Sequence, residues 1–305
     1  MASRPRKRYS RSGRTVGTRN VGHGTAIAIG GHEDKTEEKR ILHEVANRVG
    51  SRRLVVTTVA SGEPEEMWST YERLFRNMGV RHVHHLDVRS REDALEEKQI
   101  RVLDDASVVF FTGGDQLKVT SQIGDTPCYE RIREIYESGG TIAGTSAGAS
   151  VMSETMMVSG DGDSSHRIGA ELMMAPGLGI VSGVLIDQHF AERGRIGRLL
   201  GVVAQNPRII GLGIDENTAA IISRKRLTVL GAGAVYVVDG RKVSYSNLAE
   251  EAKDRTLSVF NVTMHLLSQS DTLDLESRVP RARPARVLDH DGVGALPEPE
   301  ERAQE

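Results

Sequence analysis

Cysteine is nearly absent from this 305-residue chain: Cys128 is the only one. A single thiol excludes an internal disulfide framework and fits a reducing compartment, the cytoplasm. Long apolar runs are also missing, and none reaches the ~20 residues that a membrane-spanning helix needs. The basic N-terminus is followed by no apolar stretch, so no secretory signal is expected. The net charge of −2 gives no global attraction for nucleic acid. No Gly-x-Gly-x-x-Gly follows the first strand-like run, where Gly30-Gly31 leads straight into His32-Glu33-Asp34. A dinucleotide cofactor is thereby set aside. No Cys/His cluster or carboxylate array has metal-ligand spacing, so neither a metal nor another cofactor is expected.

What the chain does contain is an alternation of short apolar runs and amphipathic stretches. Thr25–Ile29, Leu54–Val59, Val80–Leu86, Ser107–Phe111 and Thr141–Ala143 read as strands. Between them 36–49, 63–78, 93–103 and 127–137 have helical periodicity. Val184–Asp187, a helix over 195–204 and Ile209–Ile214 continue the theme. After Asn217 four runs follow as hairpin-like strands, at 219–222, 227–230, 234–238 and 262–267. The pattern predicts an α/β fold: a mostly parallel central sheet flanked by helices, with antiparallel strands added in the C-terminal part. One domain is expected over 25–278. Residues 1–24 read as a disordered basic arm, with Arg4, Arg6, Lys7, Arg8, Arg11, Arg14 and Arg19 and no acid before Glu33. Residues 279–305, rich in Pro, Arg, Asp, Glu and Gly, read as a disordered tail.

Chemistry is expected beyond the C-terminal ends of the strands. Gly144-Thr145-Ser146-Ala147-Gly148 follows a strand and opens a helix. Glycines at this spacing permit the tight turn that lifts a serine hydroxyl clear of the sheet for acyl transfer; an inert Gly/Ser/Ala turn would match the same five residues. A serine nucleophile needs a base, and His189, placed just after a strand end, is the candidate. His32, at the first strand end, is the other histidine in a comparable place. An acid should orient the imidazole; Glu216 is the first choice and Asp187 the second. Oxyanion donors would be the Ala147 amide and one from Gly113 or Gly114. Arg193, Arg195 and Arg198 suit a carboxylate-bearing substrate, with Gln116 reaching in from the opposite side. A solvated basic helix face is the plainer account of the arginines.

Four segments together resemble the cyanophycinases, serine peptidases related to peptidase E and, in fold, to the class I glutamine amidotransferases. They are Ile29–Asp34, Phe111–Gln116, Gly144–Ser150 and Asp187-Gln188-His189-Phe190 with its trailing arginines to Arg198. The resemblance spans about 25–278. It implies hydrolysis of cyanophycin, a polyaspartate with arginine on each β-carboxyl, to β-Asp-Arg dipeptides. It also implies Ser146 as nucleophile, His189 as base, Glu216 as orienting acid and Gly114 with Ala147 as oxyanion donors. Gln116, Asp187, Gln188, Arg193, Arg195 and Arg198 would line the substrate pocket, and the enzyme would be a homodimer. The rivals are an aspartyl or isoaspartyl dipeptidase of the peptidase E type, and a non-catalytic module on an amidotransferase-like scaffold. A true amidotransferase would carry cysteine at the turn, where this chain has Ser146.

Overall fold

Five apolar runs alternate with helices in the first half of the chain, and each run becomes a parallel strand, the third of them only half-buried at the sheet edge. The structure, a computed structural model, describes residues 24–158, 173–248 and 256–283. In chain order the elements begin β1 (Thr25–Ile29), α1 (Arg40–Asn47), β2 (Arg53–Thr57), α2 (Pro64–Asn77), β3 (Val83–Leu86), α3 (Glu97–Val102) and β4 (Ala106–Phe111). Next come α4 (Gln116–Ile123), α5 (Pro127–Glu137), β5 (Thr141–Thr145), α6 (Ala147–Ser150), β6 (Thr155–Met157), β7 (Met174–Pro176) and β8 (Val184–Gln188). The remainder is α7 (Ile196–Gln205), β9 (Ile210–Ile214), β10 (Thr218–Ser223), β11 (Arg226–Gly231), β12 (Val235–Asp239), β13 (Tyr245–Ser246), β14 (Val259–Phe260), β15 (Thr263–Leu267), β16 (Thr272–Asp274) and β17 (Val279–Arg281).

The main sheet has nine strands among the described residues, in the order β17-β16-β11-β10-β1-β5-β4-β2-β3. From β1 to β3 neighbours run parallel; from β1 outward through β10, β11, β16 and β17 they run antiparallel. This is the expected α/β class, with its C-terminal antiparallel extension. One face is covered by α1 and α2, where Leu42, Val45, Tyr71 and Phe75 meet Ile27, Leu54 and Phe110.

The other face departs from the simplest reading of the sequence, in which all strands share one sheet. Strands β8, β9, β12 and β15 form a separate four-stranded sheet, in the order β15-β12-β9-β8. Ile186, Leu212, Ile214 and Val235 of this second sheet share a core with Ala28 and Ile142 of the first and with Ala147 of α6. Its far face packs on α7 through Leu185, Leu199 and Val203. Both faces of β8 and β9 are buried, so their continuous apolar runs look the same whichever sheet they join.

Helix α1 starts later than its periodicity suggests. The Asp34 carboxylate accepts hydrogen bonds from the amides of Thr36, Glu37 and Lys39, which ties that stretch into a turn. The stretch 93–103 divides into a 3₁₀ turn, Asp93–Leu95, and α3, because Glu96 is extended. Helix α4 was not foreseen. Ordered structure also continues past 278, where β17 pairs with β16. The expected N-terminal arm up to residue 23, and the tail from 284, lie outside the described residues. No helix among the described residues is long and apolar enough to cross a membrane.

Candidate active site

Strand β1 ends in Ile29-Gly30-Gly31, and three successive carbonyls there hold three distant segments. Ile29 accepts from the Ser146 amide at 2.9 Å, Gly30 from the His189 amide at 2.8 Å and Gly31 from the Asn217 amide at 2.8 Å. The end of β5, the end of β8 and the β9–β10 connection therefore converge on one strand end. Only backbone that comes very close can do this. A Cβ on Gly31, whose φ is +102°, would lie 2.3 Å from Cε1 of the His189 ring.

Ser146 sits on the turn between β5 and α6, at φ 55° and ψ −114°. Such angles are costly for a residue with a side chain and persist only where the surroundings enforce them. Two glycines make the turn possible. A Cβ on Gly144 would meet the Gly148 carbonyl oxygen at 2.3 Å, and one on Gly148 would meet that of Phe111 at 2.5 Å. His189, also at positive φ, follows β8. Its Nε2 lies 3.0 Å from Ser146 Oγ, and its Nδ1 2.5 Å from Glu216 Oε1. The tautomer that satisfies both contacts has the proton on Nδ1, donated to Glu216, and a bare Nε2 facing the hydroxyl.

Burial of the His189 ring pushes its pKa below the ordinary histidine value, and the exposed Arg193 charge acts the same way; the Glu216 carboxylate opposes both. The imidazole is thus neutral near pH 7. Glu216 is gripped on either side. Asp215 accepts from the amides of Ala191 and Ala234, which fixes the loop after His189. The Asn217 side-chain oxygen accepts from the Asp34 amide. His32 approaches the other Glu216 oxygen at 3.4 Å and meets the His189 ring edge-on.

These groups open on a cleft of about 560 Å³, lined by His32, Glu33, Lys35, Gly114, Ser146 and His189 among others. Gly113 and Gly114 also line it, Gly113 close enough that a Cβ there would lie 3.9 Å from Ser146 Oγ, and Ala147, next to the serine, is buried. His32, His189 and Glu216 are the described cluster with metal-ligand geometry, but Glu216 already accepts the imidazole proton.

Four of the six residues expected to line a substrate pocket, Asp187, Gln188, Arg195 and Arg198, are bonded to one another. Asp187 is buried and receives Arg198 Nε at 2.7 Å and Arg195 at 3.3 Å. Arg195 also donates to the Gln188 carbonyl and, at 3.1 Å, to the Gln188 side-chain oxygen. Burial holds the Arg195 guanidinium down to about 10, still charged at neutral pH. Asp187, Gln188, Arg195 and Arg198 are not among the residues lining the Ser146 cleft; they are engaged with one another under the strand end that carries His189. Gln116 donates to the Met157 carbonyl at 2.9 Å. Arg193 alone of the three arginines stands exposed. Sequence reasoning passed over Glu33, Lys35, Tyr71, Thr145, Asp215 and Asn217. The unusual strand-end run Gly30–Asp34 was the available signal for Glu33, with Lys35 just beyond it.

Residues 26–230 match the sequence profile of peptidase family S51. A cyanophycinase of Synechococcus elongatus is 39% identical over 261 residues, covering 84% of this chain and 81% of the relative. Another, from Trichormus variabilis, is 40% identical over 258 residues, covering 83% and 86%. Among solved structures, a peptidase from an acI-B1 Actinobacterium superposes with a TM-score of 0.58 at 22% identity, covering 80% of this chain and 98% of that one; this is a likeness of fold.

Proposed function

The chain belongs to peptidase family S51, and we propose that it is a cyanophycinase, an exopeptidase that cuts the polyaspartate backbone and releases β-Asp-Arg. The observation that carries the proposal is the relay in the cleft, with Ser146 Oγ 3.0 Å from His189 Nε2 and His189 Nδ1 2.5 Å from Glu216. It supplies a nucleophile, a neutral base and an orienting carboxylate in hydrogen-bond contact.

In the proposed reaction His189 Nε2 takes the Ser146 proton as Oγ attacks the scissile carbonyl carbon. Glu216 keeps the ring in the correct tautomer and stabilises its cation. The amides of Ala147 and Gly114 receive the oxyanion, where preorganised donors act most strongly. His189 then passes its proton to the leaving amine. Water, deprotonated by the same nitrogen, opens the acyl-enzyme and restores Ser146. Arg193 keeps its proposed place opposite substrate carboxylates. Asp187, Gln188, Arg195 and Arg198 support that pocket by holding the end of β8 in shape, and Gln116 does so through the Met157 backbone. The reading includes a cytoplasmic location and a homodimer. Met264 and Leu266, 55% and 61% exposed on edge strand β15, are apolar surface that a second copy would cover.

The test is product identity. Incubated with cyanophycin granules, the protein should release β-Asp-Arg, identified by mass, and leave simple Asp-X dipeptides largely intact. Ser146→Ala should lower the rate by about 10⁴-fold or more, because the triad works as a unit. Consumption of the dipeptides with the polymer untouched would reject the proposal.

A further inference from the structure

Glu33 is a carboxylate sunk into the floor of the Ser146 cleft, only 3% exposed. Its Oε1 accepts from the Tyr71 hydroxyl and, at 2.8 Å, from Lys35 Nζ; its Oε2 accepts from Thr145 Oγ1 at 2.5 Å. Tyr71 is itself buried, and the Lys35 ammonium lies 5.4 Å from the centroid of its ring. All four residues line the same cleft as Ser146 and His189.

If stability were its only benefit, a buried carboxylate of this kind would be as well served by an apolar group. What the arrangement adds is a fixed ammonium. An ammonium has three donors. Glu33 takes one, and the Lys35 side chain remains 33% exposed, so donors are left for a molecule in the cleft. Tyr71 and Thr145 share the Glu33 charge, so Lys35 does not have to neutralise it alone. Among the described residues lining the cleft, Lys35 carries the only permanent positive charge. The buried guanidiniums of Arg195 and Arg198 already answer to Asp187. The position is also fixed relative to the chemistry: Lys35 binds Glu33, Glu33 binds Thr145, and Thr145 precedes the nucleophile.

We infer that Lys35 is a specificity-determining residue whose ammonium takes a substrate carboxylate beside the scissile bond, held in place by Glu33 and Tyr71. The inference rests on the cyanophycinase reading. That polymer offers two such carboxylates near its end, the α-carboxylate of an arginine branch and the backbone terminus. The substrate guanidinium has an opposite partner in exposed Glu63, which lines the same cleft.

The experiment compares three forms of the (β-Asp-Arg)₂ dimer: free acid, arginine carboxamide and C-terminal carboxamide. The wild-type enzyme should prefer the free acid over one of the amides by about 10- to 100-fold in kcat/KM, mostly through KM, as expected for a lost charge-assisted hydrogen bond. The disfavoured amide identifies the carboxylate that Lys35 reads. Lys35→Met should bring that ratio to about 1, and Lys35→Arg should restore most of it. The ratio is internal to each preparation, so partial misfolding does not distort it. Lys35→Gln, which keeps a hydrogen bond to Glu33, serves if Lys35→Met does not fold. A variant that turns over the dimer with the preference intact overturns the inference alone. A wild-type enzyme inert towards polymer and dimer overturns the functional reading and this inference together.

Discussion

His189 can accept a proton only while its ring is neutral, so the acid side of the pH profile reports its pKa. Burial lowers that pKa most, Glu216 raises it and Arg193 lowers it. The acid limb of kcat/KM should therefore lie below the ordinary value of 6.5. Glu216→Gln removes the raising influence and should move the limb to lower pH, while turnover falls about 10²- to 10⁴-fold. Arg193→Gln removes a lowering influence and should move the limb up; because Arg193 is exposed, that shift should shrink in high salt. A pH series on the three proteins checks both signs. At this scale Ser146 was readable from its glycine spacing, since the turn needs both glycines. The choice between Glu216 and Asp187 was not, because chain position does not say which acid meets the imidazole and which meets two arginines. The Glu33 site was hidden for the same reason: apart from Lys35, Glu33 finds its partners 38 and 112 residues further along the chain.

The penultimate residue of strand β8 is a carboxylate that two guanidiniums share, and this cluster governs the element that delivers His189. Asp187 is 2% exposed, and Arg198 is 4% exposed. Removing one member of such a buried group leaves the others charged and unmatched. Asp187→Ala should cost about 3–5 kcal/mol of unfolding free energy, measured by urea denaturation. A surface pair such as Arg101–Glu97, both side chains at least 70% exposed, should cost well under 1 kcal/mol when broken. Elements as such were legible where periodicity was strong, as in α2 and α5. Their boundaries were less so. The Asp34 turn delays α1, and no pattern of apolar residues could announce a side chain that binds three amides.

Two sheets meet at the site, and the molecule's activity depends on how they meet. The proposed nucleophile comes from the main sheet, the proposed base from the second, and the proposed acid from the segment that crosses between them. Gly31 stands at that junction. Gly31→Ala would push the imidazole aside by at least the overlap of a methyl group, and a displacement of that order costs about 100-fold in rate. The rate of Ser146 labelling by a fluorophosphonate should fall by a similar factor, which separates a displaced base from lost substrate binding. The sequence pattern pointed to an α/β architecture and to strand ends gathering in one place. It could not reveal the division into two sheets, because strands buried on both faces carry the same apolar runs in either sheet.

The three carbonyls at the end of β1 have one more consequence, which concerns synthesis. Residues 29–31 emerge from the ribosome early, yet the amides they hold belong to residues 146, 189 and 217. Until the last of these has emerged and folded back, Ser146 is an unactivated alcohol. The growing polypeptide is therefore harmless to its neighbours, and hydrolytic power arrives only when most of the chain has been made.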